Sequence, residues 1–194
     1  CPAEINVPEY IRFIKEGEFE KALRVIYAKV PFPEVLGRVC FNPCEIGCRR
    51  RILDQPVAIC ALKRAAADQS NELDIHTHIK EKTGKRVAVI GSGPAGLTAA
   101  YYLSTLGHSI TVFETLPEAG GMLRVGIPAF RLPRDVLDRE IKRLEDARGE
   151  VRTNHRIDSI DELTSDGFGA IFVAVGNHKG LKLGVPGEES GYVV

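Results

Sequence analysis

Three glycines in six residues, Gly91, Gly93 and Gly96, stand where the apolar run Val87 to Ile90 ends and a helix-forming stretch begins. Each position answers a separate need of a bound dinucleotide. The first glycine makes the tight turn, the second lets the backbone approach a pyrophosphate, and the third lets helix pack against strand. Glu114 ends the next apolar run, 18 residues beyond Gly96, where a carboxylate can hold ribose hydroxyls. The unpaired amides of the helix start then form the anion site. The fingerprint alone does not choose between a flavin and a nicotinamide dinucleotide. Gly120-Gly121, at a distance after Glu114 that lets the backbone pass close to a bound cofactor, and Ala174-Val175-Gly176, a small turn after a later strand, together favour a flavoprotein.

A second group of reactive residues lies entirely in the first 60 positions: Cys1, Cys40, Cys44, Cys48 and Cys60. An odd count with three cysteines inside nine residues fits ligand spacing better than a disulfide framework, and it favours a reducing compartment. Cys-x3-Cys-x3-Cys with one distant cysteine falls within the range of zinc. An iron–sulfur site is favoured because thiolates suit iron and a flavin needs an acceptor for single electrons. Cys60, one helical turn before Lys63, can substitute as a ligand, although a helical cysteine among apolar residues more often packs in a core. The five histidines, His76 and His78 among them, form no ligand or hydrolase pattern.

The elements that must position these groups fall into two kinds. Pro8 predicts a first helix with Tyr10, Ile11, Phe13 and Ile14 on one face. A second carries Phe19, Ala22, Leu23, Ile26 and Val30 until Pro31-Phe32-Pro33 stops it. Gly37 to Asp54 is predicted as an irregular loop, helix resumes at Pro56, and Gln69 to Gly84 is a polar linker in which Ile75 and Ile79 can anchor a short helix. From Lys85 the pattern alternates: strand to Ile90, helix from Ala95 to Leu106, strand from Ser109 to Phe113, an irregular segment to Leu132, and a helix from Pro133 with Val136, Leu137, Ile141 and Leu144 on one face. A strand near Val151 and a buried strand, Ala170 to Val175, follow. The predicted fold class is therefore α/β, an all-α N-terminal part ahead of a Rossmann-like domain with a parallel sheet.

With 26 basic and 26 acidic residues the net charge is zero, and the only tight basic cluster is Arg49-Arg50-Arg51, so no nucleic acid partner is expected. No apolar run approaches the ~20 residues a membrane helix needs, and Cys1-Pro2-Ala3-Glu4 is not a leader, so a soluble cytoplasmic protein with no membrane association is expected.

Residues 85 to 188, with Gly91 to Ala100, Gly120 to Pro128 and Phe130-Arg131-Leu132-Pro133, resemble the FAD domain of the glutamate synthase small-subunit family; dihydropyrimidine dehydrogenase has a similar module. Cys1-Pro2, Gly37 to Cys48 and Pro56-Val57-Ala58-Ile59 are similar to that family's helical iron–sulfur domain. The resemblance implies domains at 1–84, iron–sulfur domain and linker, and at 85–194, the N-terminal portion of an incomplete FAD domain. It implies that Gly91, Gly93, Pro94, Ala95 and Gly96 cradle the FAD pyrophosphate and that Glu114 binds the ribose. Gly121, Met122 and Arg131 would line the flavin, and Ile157 would lie near the adenosine. Cys1, Cys40, Cys44 and Cys48 match ligands of [4Fe-4S] clusters, divided in the family between two clusters whose other ligands precede residue 1. Lys63 departs from the pattern, because it stands where related proteins carry Gln or Glu as a ligand, and an ammonium must lose its proton before it can donate.

The family places its nicotinamide domain beyond Gly187-Glu188, so the chain is expected to be a fragment with one dinucleotide fold. The implied function is part of an oxidoreductase, with no catalytic acid or base of its own. It would pass electrons from NAD(P)H through FAD to iron–sulfur clusters and a redox partner subunit, such as a glutamate synthase large subunit. The rival reading is a non-enzymatic, metal-holding assembly module of a larger redox complex.

Overall fold

The computed structural model describes residues 1–70, 79–147, 149–178, 180–182 and 184–190. The N-terminal part is helical. Asn6 caps α1 (Val7–Lys15), its side-chain oxygen accepting from the Glu9 N–H at 3.3 Å, and Pro8 sits in the first turn. After α2 (Phe19–Tyr27) the Pro31-Phe32-Pro33 run stops one helix and also starts the next. Pro33 is the first residue of α3 (Pro33–Val39), where its missing N–H has no partner to lose. Within the segment predicted as irregular, a single turn forms α4 (Pro43–Ile46) and a 3-10 turn spans Arg49–Ile52. Helix α5 (Ile59–Gln69) starts three residues after Pro56.

A core of Ile5, Tyr10, Ala22, Ile26, Val30 and Ala66 joins α1, α2 and α5. Gly37 lets α3 lie against α5, since a Cβ there would stand 2.9 Å from the Arg64 Cα. The predicted linker lies partly outside the described residues, Ile75 included, as do His76 and His78. Its described end docks on the C-terminus of the next helix, the Lys80 N–H donating to the Thr105 carbonyl at 2.9 Å.

The second part is a four-stranded sheet in the order β3-β2-β1-β4 with every pairing parallel. The strands are β1 (Arg86–Ile90), β2 (Ser109–Phe113), β3 (Gly149–Arg152) and β4 (Ala170–Val173). Their side chains divide with period two. Val87, Val89, Ile110 and Val112 meet α6 (Pro94–Thr105) and α8 (Arg134–Asp146), while Ala88 and Phe113 meet Leu163 of α9 (Ile160–Ser165) on the other face. The predicted helix face of Val136, Leu137, Ile141 and Leu144 is buried as expected. A short α7 (Met122–Val125) interrupts the segment between β2 and α8.

The strand predicted as buried at Ala170 to Val175 is shorter and largely exposed: Phe172 is 43% and Val173 55% exposed. Among the described residues β4 pairs with β1 on one side only, and its apolar run has little packed over it.

The two parts share a core, with Phe32 and Val35 packed among the residues of α6 and α8. They also share a buried polar joint. Glu140, on α8, accepts from the Glu34 and Val35 N–H groups at 2.8 and 3.0 Å and so caps α3, which has no side-chain cap of its own. Arg139 and Arg143 reach Glu34 at 2.9 and 2.6 Å, and Arg143 also donates to the Tyr27 hydroxyl. Among the described residues no helix is long and apolar enough to cross a membrane.

Candidate functional site

The glycine loop joins β1 to α6. Gly91 extends the sheet by one bond, its N–H donating to the Phe113 carbonyl at 2.8 Å, and then turns with φ +102°. A Cβ there would lie 2.4 Å from the Ala174 carbonyl oxygen, so only glycine fits the turn. At Gly96 a Cβ would stand 1.9 Å from the Gly91 carbonyl oxygen, which makes this the helix–strand packing position. Gly93 differs from both, because a Cβ there would meet nothing within 4 Å. Its open side faces a cavity of about 510 Å³ at the carboxyl ends of β1, β2 and β4, the topological switch point where such sheets bind ligands.

Glu114 lines that cavity but is already engaged. One carboxylate oxygen accepts from the Ser92 N–H at 2.9 Å and from the Ser92 hydroxyl at 2.5 Å, and the other accepts from the Leu116 N–H at 2.9 Å. Burial pushes its carboxyl up, but the Leu116 and Ser92 bonds more than offset this and hold it below the ordinary carboxylate range. Glu114 therefore fixes the loop to the end of β2 while keeping acceptor capacity on the Leu116 side. The Ser92 hydroxyl in turn accepts from the Gly120 N–H at 3.0 Å. This draws Gly121 so close that a Cβ on it would stand 2.8 Å from the Gly93 Cα.

In the helical part, Cys1, Cys40, Cys44 and Cys60 line one small cavity of about 30 Å³ together with Lys63 and Tyr10. Asn42 donates its N–H to the Cys40 sulfur at 3.4 Å. Glu45 ties the cysteine loop to α5, accepting from the Cys60 N–H at 2.8 Å and from the Asn42 side-chain amide at 2.7 Å. Cys48 lies outside the cavity. Hydrogen bonding from the Val57 and then the Arg50 backbone lowers its thiol below the ordinary range, while the Arg51 N–H donates to the Cys48 carbonyl at 3.1 Å. Burial pushes the Cys60 thiol up, with Lys63 acting in the opposite sense. Tyr10, whose hydroxyl donates to the Ile59 carbonyl at 3.0 Å, is raised by burial and then by the neighbouring thiols. Among the described residues no three cysteine, histidine or carboxylate side chains converge closely enough to hold one metal ion.

Residues 1–75 match the family described as dihydropyrimidine dehydrogenase domain II, 4Fe-4S cluster, and residues 89–131 match the NAD(P)-binding Rossmann-like domain. The NADP(+)-dependent formate dehydrogenase subunit beta of Moorella thermoacetica is 40% identical over 99% of this chain and 31% of its own length. For the NADPH-Fe(3+) oxidoreductase subunit beta of Geobacter sulfurreducens the figures are 42%, 99% and 30%. The glutamate synthase [NADPH] small chain of Bacillus subtilis is 38% identical over 98% of this chain and 39% of its own. The chain is thus similar along nearly its whole length to part of several oxidoreductase subunits, the glutamate synthase small chains among them. It spans about a third of the length of the curated relatives it matches.

The residues predicted from the sequence are not all placed alike in the structure. Gly91, Gly93, Pro94, Ala95, Glu114, Gly121 and Met122 line the 510 Å³ cavity, and Gly96 packs beneath its floor. Arg131 is exposed outside the cavity, and Ile157 packs against the cluster of Ala88, Phe113, Leu163 and Phe168. Of the predicted thiols, Cys1, Cys40 and Cys44 come together, and Cys48 does not join them.

Arg156 and His178 also line the dinucleotide cavity, and sequence reasoning missed both. Arg156 arrives through the parallel β2–β3 register, with the His155 N–H donating to the Glu114 carbonyl at 2.8 Å. The signal available was a basic residue shortly after a strand that had to pair beside Glu114.

Proposed function

We propose that this chain is the part of an NAD(P)H-dependent oxidoreductase that holds FAD in the cavity above the glycine loop and an iron–sulfur cluster among the N-terminal thiols. Electrons would leave through the cluster toward a redox partner subunit. The observation that carries the reading is the presence, on one body joined through Glu140, of a dinucleotide cavity at the switch point and a cavity lined by four thiols. The relatives named above are NADP- or NADPH-linked and are called subunits or chains of larger assemblies, which supports both the electron donor and the partner. A cytoplasmic location and a division into 1–84 and 85–194 belong to the same proposal.

The donor set fits its group. A four-iron cube places iron between its thiolates, so they stand further apart than the four sulfurs around one zinc, each about 2.3 Å from a single centre. The four thiols that line the N-terminal cavity match in kind and number the ligands one such cluster takes. Gly93 leaves room for a pyrophosphate against the backbone, α6 begins beside it, and the acceptor capacity that the Glu114 oxygen retains beyond its bond to Leu116 suits a ribose hydroxyl. Bound flavin takes up hydride and gives up single electrons, the conversion a cluster partner requires. A nicotinamide dinucleotide in the same cavity is the second reading, favoured by the description of the family matched at 89–131.

The absorption spectrum of the anaerobically purified full-length protein decides between them. Flavin and cluster bands are expected together, with the flavin lost alone in Gly93→Val and the cluster lost alone in Cys44→Ser. Absence of flavin bands and of NAD(P)H oxidation with any artificial acceptor would refute the proposal.

A further inference from the structure

We infer that Cys60 is the fourth thiolate of the site formed by Cys1, Cys40 and Cys44, that Lys63 supplies its counter-charge, and that Cys48 is not part of it. This rests on the iron–sulfur reading above. Four of the five cysteines line one cavity, and Cys48 does not line it.

The placement of Cys60 is built. Its N–H is held by Glu45, the residue after Cys44, so a single carboxylate sets the spacing between the Cys44 loop and the first turn of α5. Its sulfur lies 3.5 to 4.0 Å from the carbonyl oxygens of Gly37, Leu36 and Cys40, close to the Cys40 backbone. With its proton released to solvent, the Cys60 thiolate would lose these weak S–H contacts and be free to serve as a ligand beside the other three sulfurs.

Lys63 follows Cys60 by three residues and therefore shares its helix face. It is 7% exposed and lines the same cavity, which among the described residues no carboxylate lines. A buried ammonium needs an opposite charge beside it, and a cluster held by four thiolates carries net negative charge. Lysine is a poor ligand but a suitable neighbour, and the sulfur one helical turn earlier can take the bond.

The test compares Cys44→Ser, Cys60→Ser and Cys48→Ser in the full-length protein, prepared anaerobically. The readouts are iron and sulfide per chain and low-temperature electron paramagnetic resonance after reduction, with retained flavin as the control for folding. Cys60→Ser is expected to reproduce the Cys44→Ser spectrum, with the same signal lost or converted to a three-iron form, while Cys48→Ser keeps that signal. A Cys60→Ser protein with wild-type iron and spectrum, or a Cys48→Ser protein that reproduces Cys44→Ser, overturns the assignment.

Lys63→Met is expected to keep the iron count and lower the midpoint potential of the same signal. An unchanged potential removes the counter-charge role, and iron loss in Lys63→Met assigns the bond to Lys63 and not to Cys60, a result that stands even if Cys60→Ser fails to accumulate. Wild-type protein without iron and sulfide would instead overturn the cluster reading itself.

Discussion

At the glycine loop the backbone forms the wall of the cavity, whereas around the cysteines the wall is made of side chains carried by the first residue, by the loop around α4 and by α5. The first cavity takes its shape from the sheet register and from three positions where a Cβ is excluded or faces open space. The second depends on Glu45 bridging a loop and a helix, with a core of short helices behind it. A site walled by backbone is formed before its ligand arrives, and one walled by separate side chains gains much of its order from the ligand.

The sharpest way to break this comparison is at Gly96. Gly96→Ala places a methyl against the Gly91 carbonyl with no flexible atom to yield, so a loss of about 4 kcal/mol is expected, measured by denaturant unfolding. A small loss would mean that the loop is not fixed by its backbone. Next in size is removal of iron from the full-length protein by anaerobic chelation. Amide hydrogen exchange in residues 40–60 should accelerate about a hundredfold, equivalent to roughly 3 kcal/mol, while residues 86–113 stay protected. Equal acceleration in both regions would erase the distinction.

Glu140→Ala comes third. It leaves the buried N–H groups of Glu34 and Val35 without acceptors, at about 2 kcal/mol. Glu140 also makes the joint pH-dependent. Burial raises its pKa from 4.5 to about 8, against the opposing pull of the Val35 and Glu34 N–H groups. The folded chain thus keeps a proton that the unfolded chain releases near 4.5. This contribution is complete below that pH and is lost as pH rises through about 8. Thermal melts between pH 4.5 and 8 should show the decline, and Glu140→Gln should flatten it. The smallest effect on stability is expected for Gly93→Ala, less than about 1 kcal/mol since its methyl meets nothing. The same substitution should nevertheless abolish flavin retention during purification, because it fills the space proposed for the pyrophosphate.

What was legible in the sequence was local. The turn at Gly91, the packing position at Gly96, β1, β2 and the buried face of α8 are written in spacings of a few residues, and all recur in the structure. What escaped depended on distant partners. Pro33 reads as a stop until Glu140 is seen accepting from the amides behind it, and Cys60 reads as packing until Cys1 is brought to the same cavity. Arg156 and His178 needed the strand register. The run at Ala170 looked buried because apolarity alone does not say on which side of a sheet a strand has neighbours.

The bond between Glu140 and the start of α3 has a consequence for synthesis. The acceptor lies 106 residues after the Glu34 amide it satisfies. At a translation rate of about 5–20 residues per second, that amide waits roughly 5–20 seconds for its carboxylate, with α3, which leads into the first loop cysteine, unfinished at its start. The N-terminal half emerges first and is completed late, and the final seating of its thiols is timed by the helix that closes the other half.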